Sequence, residues 1–272
     1  MTAPIALHYL RGLILSEAAI VLDDTKDYLL ESRLAPVAKS VGLDGLDALA
    51  HHLQRGVDQG LKTRVIEALT TNETYFFRDI HPFETLRTKI LPAVVAARSQ
   101  QKRLRIWCAA ASTGQEPYSL AMCLRESIPD LARWSIELVA TDINRTVLDA
   151  ARDGAYRQHE VNRGLPAAML VKYFERDGSL WRVKPVLRGM VDFKELNLLH
   201  AWPFGGKFDL VFMRNVLIYF DVPIKQSILD RTRHLMSPDA ALFLGGAETT
   251  VRLHDGFAPV REDKTVYYRR AP

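Results

Sequence analysis

The 272-residue chain is 48% hydrophobic, long enough for one large domain or two modest ones around a sizeable core. Its net charge is only +4, a mild basicity that gives a nucleic-acid partner little support. Lys/Arg against Asp/Glu number seven against nine up to residue 70 and 29 against 23 beyond it, with no basic arm. Two cysteines, Cys108 and Cys123, are too few for a disulfide framework and lack the spaced partners of a zinc site. The start carries no leader-like pattern and no apolar run is long enough to cross a bilayer. These features predict a soluble, cytoplasmic protein without direct membrane insertion.

Residues 1–70 read as a small helical domain. Apolar residues recur at three- and four-residue spacing in Leu29, Leu30, Leu34, Val37 and Ala38, and again in Leu43, Leu46, Leu49, Ala50 and Leu53. Asp24 and Thr25 are candidate N-caps, while Gly42, Gly45, Gly56 and Gly60 punctuate the breaks. Residues 71–103 read as a linker and the first helix of a second domain, which occupies 104–272. There the period changes. Short apolar strands at Leu104–Ala109, Ile136–Thr141, Val191–Leu196, Phe208–Met213 and Ala241–Gly245 alternate with helices at Glu116–Glu126, Thr146–Arg152, Pro166–Glu175 and Pro223–Leu235. That alternation predicts an α/β fold with a parallel sheet, and the near-continuous apolarity of the strands predicts that both faces are covered. A small hairpin around 177–190 leads into the sheet.

The residues able to carry chemistry cluster in a few places. Asn72-Glu73-Thr74-Tyr75-Phe76-Phe77-Arg78-Asp79 packs polar, aromatic and charged residues into a segment that no regular element requires, so it reads as a site or as an aromatic plug with a helix cap. Ala109-Ala110-Ala111-Ser112-Thr113-Gly114 leaves the first strand and meets a helix near Glu116, where small residues let a backbone approach a ligand. The full dinucleotide fingerprint is absent. Asp142, ending the next strand, is either an acceptor for both hydroxyls of a ribose or a cap for the following helix. Arg214-Asn215 ends a later strand, and Tyr219 follows one helical turn on. His51 and His52 point to different helix faces and make no metal pair, so no metal site is predicted. Ser112 lies in no nucleophile elbow, and no phosphate loop occurs.

Read in order, the N-E-T-x-F-F-R segment, the A-A-A-S-T-G-x-E-P-Y segment, Ala140-Thr141-Asp142-Ile143-Asn144, Asn197-Leu198-Leu199 and Phe208–Asp221 resemble the CheR family of chemoreceptor glutamate methyltransferases. The resemblance covers nearly the whole chain. It implies a Rossmann-like S-adenosylmethionine-dependent methyltransferase fold with a small N-terminal all-helical domain and a small β-subdomain. It implies transfer of a methyl group from S-adenosyl-L-methionine, leaving S-adenosyl-L-homocysteine, to glutamate carboxylates in the cytoplasmic domain of methyl-accepting chemoreceptors. By the same resemblance Asn72, Thr74, Arg78, Glu116, Asp142, Asn197, Leu198, Arg214 and Asn215 surround the cofactor. Arg78 and Tyr219 act on the reacting groups. Relatives that tether to a receptor's C-terminal pentapeptide carry a longer loop than Glu175–Leu180 here, so the resemblance implies methylation without tethering, with Arg33 as a candidate docking contact. An RNA or small-molecule methyltransferase on the same fold, or an inactive cofactor-sensing module, are the alternatives.

Overall fold

A computed structural model describes residues 2–56 and 58–271. The chain divides into two compact units. The first comprises the residues up to Thr71 together with Tyr219–Ile224, and the second comprises Asn72–Ile218 together with the chain from Lys225 on.

In the first unit α1 (Pro4–Ala18), α2 (Asp27–Ser40), α3 (Gly45–Gln54) and α4 (Gln59–Leu69) each bury one stripe. Ala6, Leu10, Ile14 and Ala18 line α1 at four-residue intervals, and Leu30, Leu34 and Ala38 do the same for α2. These stripes meet Leu49, Leu61 and Val65 in one cluster, each buried large side chain contributing about 1.5–3 kcal/mol. Neither candidate N-cap is used: Asp23, one residue before Asp24, caps the 3-10 turn Asp24–Lys26 that leads into α2, its carboxylate accepting from Thr25 N at 3.0 Å. Gly60 marks no break and sits in the first turn of α4. Arg33 donates to Leu69 O and Thr70 O, both at 3.1 Å, so its guanidinium caps the carbonyl end of α4.

The second unit opens with α5 (His81–Thr85), a π-helical turn and α6 (Leu91–Ala97). There follow β1 (Arg103–Ala109), α7 (Gln115–Ser127), β2 (Ser135–Asp142), α8 (Arg145–Asp153), β3 (Ala155–Arg157), α9 (Gln158–Asn162) and α10 (Ala167–Tyr173). Then come β4 (Phe174–Asp177), β5 (Leu180–Val183), α11 (Pro185–Arg188), β6 (Val191–Glu195), β7 (Phe208–Met213), α12 (Val222–Leu235), β8 (Met236–Leu244), β9 (Phe257–Glu262) and β10 (Thr265–Arg270). Seven strands form one sheet in the order β6-β2-β1-β7-β8-β10-β9. The first five are parallel, and β10 runs antiparallel to both its neighbours. Leu104–Ala109 and all of β7 are buried, as strands covered on both faces must be.

Two bounds are corrected here, and one pair of strands had not been expected. The hairpin of β4 and β5 spans 174–183 rather than 177–190, and with β3 it forms a separate three-stranded sheet ordered β3-β5-β4, the expected small β-subdomain, before the chain enters the main sheet at β6. The helix expected over Pro166–Glu175 stops at Tyr173, because Phe174 turns extended and starts β4. The terminal strands β9 and β10 have no counterpart in the apolar runs, since β9 alternates between exposed and less exposed positions and β10 has only Val266, Tyr267 and Tyr268 before it ends on two arginines. Among the described residues, no helix is long and apolar enough to cross a membrane.

Candidate functional site

The register aligns the carboxyl ends of five parallel strands: Glu195, Asp142, Ala109, Met213 and Leu244. The chain leaves β1 toward β2 on one side and later returns to pair β7 on the other, which is the switch point where open α/β sheets hold ligands.

At the end of β1 the chain turns through Ala110 and Ser112, both in the left-handed region at φ 54° and 51°. Such backbone persists in non-glycine residues only when its surroundings hold it. The end of β2 does so, with Ala111 N donating to Thr141 O and Ser112 N to the Asp142 carboxylate at 2.8 Å. Asp142 also accepts from Asn144 N at 3.0 Å. It is not the cap of α8, a role taken by Asn144, whose side chain accepts from Val147 N. Ser112 Oγ in turn donates to Asn72 O at 2.8 Å, so Asn72, Ser112 and Asp142 form one connected group. Gly114, at φ 94°, is glycine for another reason than ligand approach. A Cβ there would stand 2.9 Å from the Ala151 methyl and 3.0 Å from Tyr156 Oη.

The Asn72–Asp79 segment is fastened by its aromatics. Phe76 meets Tyr156 and Phe174 edge-on, and Phe77 meets Phe83. Phe77, Asp79 and Ile80 all have positive φ. This strained turn is tied at two points, by Phe77 N donating to Ser119 Oγ at 2.9 Å and by the Arg214 guanidinium. Arg214 Nη2 donates to Arg78 O at 3.0 Å and to Asp79 Oδ2 at 2.7 Å, while Nη1 pairs with Glu116 Oε2. Burial opposes the charged form of Arg214, but the Glu116 and Asp79 carboxylates outweigh it and hold the guanidinium above its ordinary pKa. Burial, aided by Glu116, pushes the neighbouring Cys108 thiol well up, so it stays protonated. Glu116 and Arg214 thus brace each other and position Arg78. Arg78 is half-buried and donates to Glu73 O at 2.8 Å.

Two expected residues lie outside these clusters but at the same strand ends. Asn197 follows β6 and accepts from Leu199 N, while Leu198 is buried and its carbonyl accepts from Trp202 Nε1 and Arg231. Thr74 is half-buried within the fastened segment. Asn215, directly after Arg214, has φ 58°, and its backbone N–H donates to Glu248 Oε2 at 2.7 Å. Tyr219 ends the short 3-10 helix Leu217–Tyr219 and falls in the first unit, outside this group. Sequence reasoning named Asp79 only as part of the 72–79 segment and passed over Ser119, Arg163 and Glu248. Arg163 pairs with Glu73 at 2.7 Å and lies 4.3 Å over the Tyr75 ring, a contact with no signal in spacing.

Two buried polar atoms at this end have no hydrogen-bond partner among the described residues, Arg214 Nε and Asn215 Oδ1. A donor and an acceptor left open in this way suit a polar ligand such as the amino-acid and adenosine parts of S-adenosylmethionine. Comparison with known proteins gives the family. Residues 72–266 match the model described as "CheR methyltransferase, SAM binding domain", and residues 5–70 match "CheR methyltransferase, all-alpha domain". The chain is 42% identical over 257 residues to chemotaxis protein methyltransferase 1 of Pseudomonas aeruginosa, covering 92% of each. It is 39% identical over 255 residues to chemotaxis protein methyltransferase Cher2 of Pseudomonas putida, again covering 92% of each. With the Escherichia coli chemotaxis protein methyltransferase the identity is 38% over 278 residues, covering 98% of this chain and 93% of the relative. A family-typical sequence thus runs through both units, and the chain belongs to the CheR family of S-adenosylmethionine-binding methyltransferases.

Proposed function

We propose that this protein methylates glutamate side chains in the cytoplasmic domain of chemoreceptors, forming methyl esters, and that it works in the cytoplasm. The observation that carries the reading is the similarity to chemotaxis protein methyltransferases along 92% of the chain. Asn72, Thr74, Arg78, Glu116, Asp142, Asn197, Leu198, Arg214 and Asn215 are the proposed cofactor set, with Glu116 and Arg214 acting through each other.

S-adenosylmethionine supplies an electrophilic methyl group when bound, and a glutamate carboxylate, ionised at neutral pH with a reference pKa of about 4.3, accepts it without a general base. The protein's own task is then positioning and partial desolvation. Arg78 suits the first of these, because its backbone is pinned by Arg214 while its side chain spends one bond on Glu73 O. Its pull on the substrate carboxylate has to stay modest, since the negative charge is lost in the transition state and a tight ion pair would favour the ground state. Tyr219 is the proposed second group orienting the methyl transfer.

The β4–β5 connection is a tight turn at Gly178-Ser179, too short for the loop that holds a receptor tail in tethering relatives, so we read methylation as independent of tethering. Mass spectrometry of receptor cytoplasmic fragments incubated with enzyme and S-adenosylmethionine tests the whole reading. Methyl esters on glutamate are the expected result. Methylation of RNA or of a small molecule, with receptor fragments untouched, would replace it.

A further inference from the structure

Glu248 belongs to none of the sequence motifs, yet its carboxylate holds three backbone amides. Oε2 accepts from Asn215 N and from Gly245 N, each at 2.7 Å, and Oε1 accepts from Ile218 N at 3.2 Å. Two of these amides follow β7 and one follows β8, so a single side chain clasps the carboxyl ends of neighbouring parallel strands. The clasp leaves room for no side chain at 245. A Cβ on Gly245 would stand 2.6 Å from Asn215 Nδ2 and 2.8 Å from Glu248 Oε2. Asn215 itself holds a left-handed backbone, and a charge-assisted bond to its N–H is the kind of contact that stabilises such a conformation. Its side-chain Oδ1 is left without a partner among the described residues.

We propose that Glu248 is a positioning residue for cofactor binding: by fixing the 215–218 turn it aims the Asn215 amide at the ligand. This rests on the reading of Asn215 as a cofactor residue. Calorimetry with S-adenosylhomocysteine tests it without any methyl acceptor. Glu248→Ala, which frees three amides, should weaken binding about tenfold or more, as expected for lost bonds to a charged group. Glu248→Gln keeps one acceptor oxygen and should fall between Ala and wild type. Asp58→Ala, which removes the cap of α4 at Leu61 N, serves as a control that lowers the melting temperature and leaves the affinity unchanged. If Glu248→Ala does not fold, the Gln variant decides, and wild-type affinity in it overturns the proposal. Unchanged affinity in folded Glu248→Ala while Asn215→Gly binds weakly would overturn the role of Glu248 alone. Unchanged affinity in both would remove Asn215 from the cofactor site, and the proposal with it.

Discussion

Arg214 and Glu116 form an ion pair almost sealed from solvent, with side chains 1% and 9% exposed, that ties the end of β7 to the first turn of α7. The geometry makes the pair conditional. Removing one partner leaves the other charge buried and uncompensated, which costs about 3–5 kcal/mol. Arg214→Met should therefore lower stability by that order in denaturant unfolding, and Glu116→Gln by less because a neutral amide still accepts a hydrogen bond. Near-wild-type stability in Arg214→Met would mean that the pair contributes little and that Asp79 and Arg78 are held by other contacts.

Asp142 serves the turn after β1 and, in the proposed function, the cofactor ribose. Asp142→Ala should weaken S-adenosylmethionine by about 1.5–3 kcal/mol. Ser112→Ala keeps the Ser112 N–H bond to Asp142 and loses only the hydroxyl bond to Asn72, so it should bind cofactor more nearly as wild type. Equal affinity of Asp142→Ala and wild type, with the variant folded, would confine Asp142 to a structural role.

Arg78 and Tyr219 are proposed to orient the reacting groups, Arg78 while also lining the cofactor site. Arg78→Ala and Tyr219→Phe should lower kcat by more than they weaken S-adenosylhomocysteine. Normal turnover in both variants would sink their assignment.

Receptors shortened at the C-terminal tail should be methylated as fast as intact ones, measured by methyl transfer from labelled cofactor. Tight binding of an isolated tail pentapeptide would contradict this. The guanidinium of Arg33 complicates its candidacy as a docking contact, because Arg33→Glu also strips the carbonyl end of α4 of two bonds. Arg33→Lys, which keeps the charge, separates docking from capping.

The two thiols give a pH prediction. Burial pushes Cys123 up to about 12 and Cys108 well above its ordinary value, so both stay protonated in the folded protein. The unfolded chain ionises them near pH 8.5. The contribution from the buried neutral thiols is thus fully present below that pH and shrinks as the pH rises above it. A thiol reagent should find no reactive cysteine in the native protein at pH 8 and two after denaturation.

Much of the second unit was legible because β1, β2 and β7 contain apolar runs, at 106–109, 138–140 and 210–213, whereas the edge strand β6 alternates Val191, Asp192, Phe193 and Lys194 and leaves most of its positions exposed. Only the later half of β8 showed, since Ser237, Pro238 and Asp239 disguise its start. In β9, Pro259 and the half-exposed pattern conceal an edge strand that pairs only with β10, its hairpin partner. The candidate site divides likewise. Asp142 and Arg214 are marked by where their strands end. Glu248 is not, because it acts on backbone amides, which any sequence supplies, and its partners Asn215 and Ile218 come into reach only when β7 and β8 pair.

The central place of β1 has a consequence for biosynthesis. Its first partner, β2, leaves the ribosome soon after it, but the second, β7, is made only after the whole three-stranded subdomain. Through that interval one edge of an apolar strand waits unpaired, a template for wrong association. The nascent chain is most vulnerable to aggregation and most dependent on chaperone cover between the emergence of Ala109 and that of Met213, and ribosome-bound chains truncated within that window should be captured by chaperones far more than chains ending after β8.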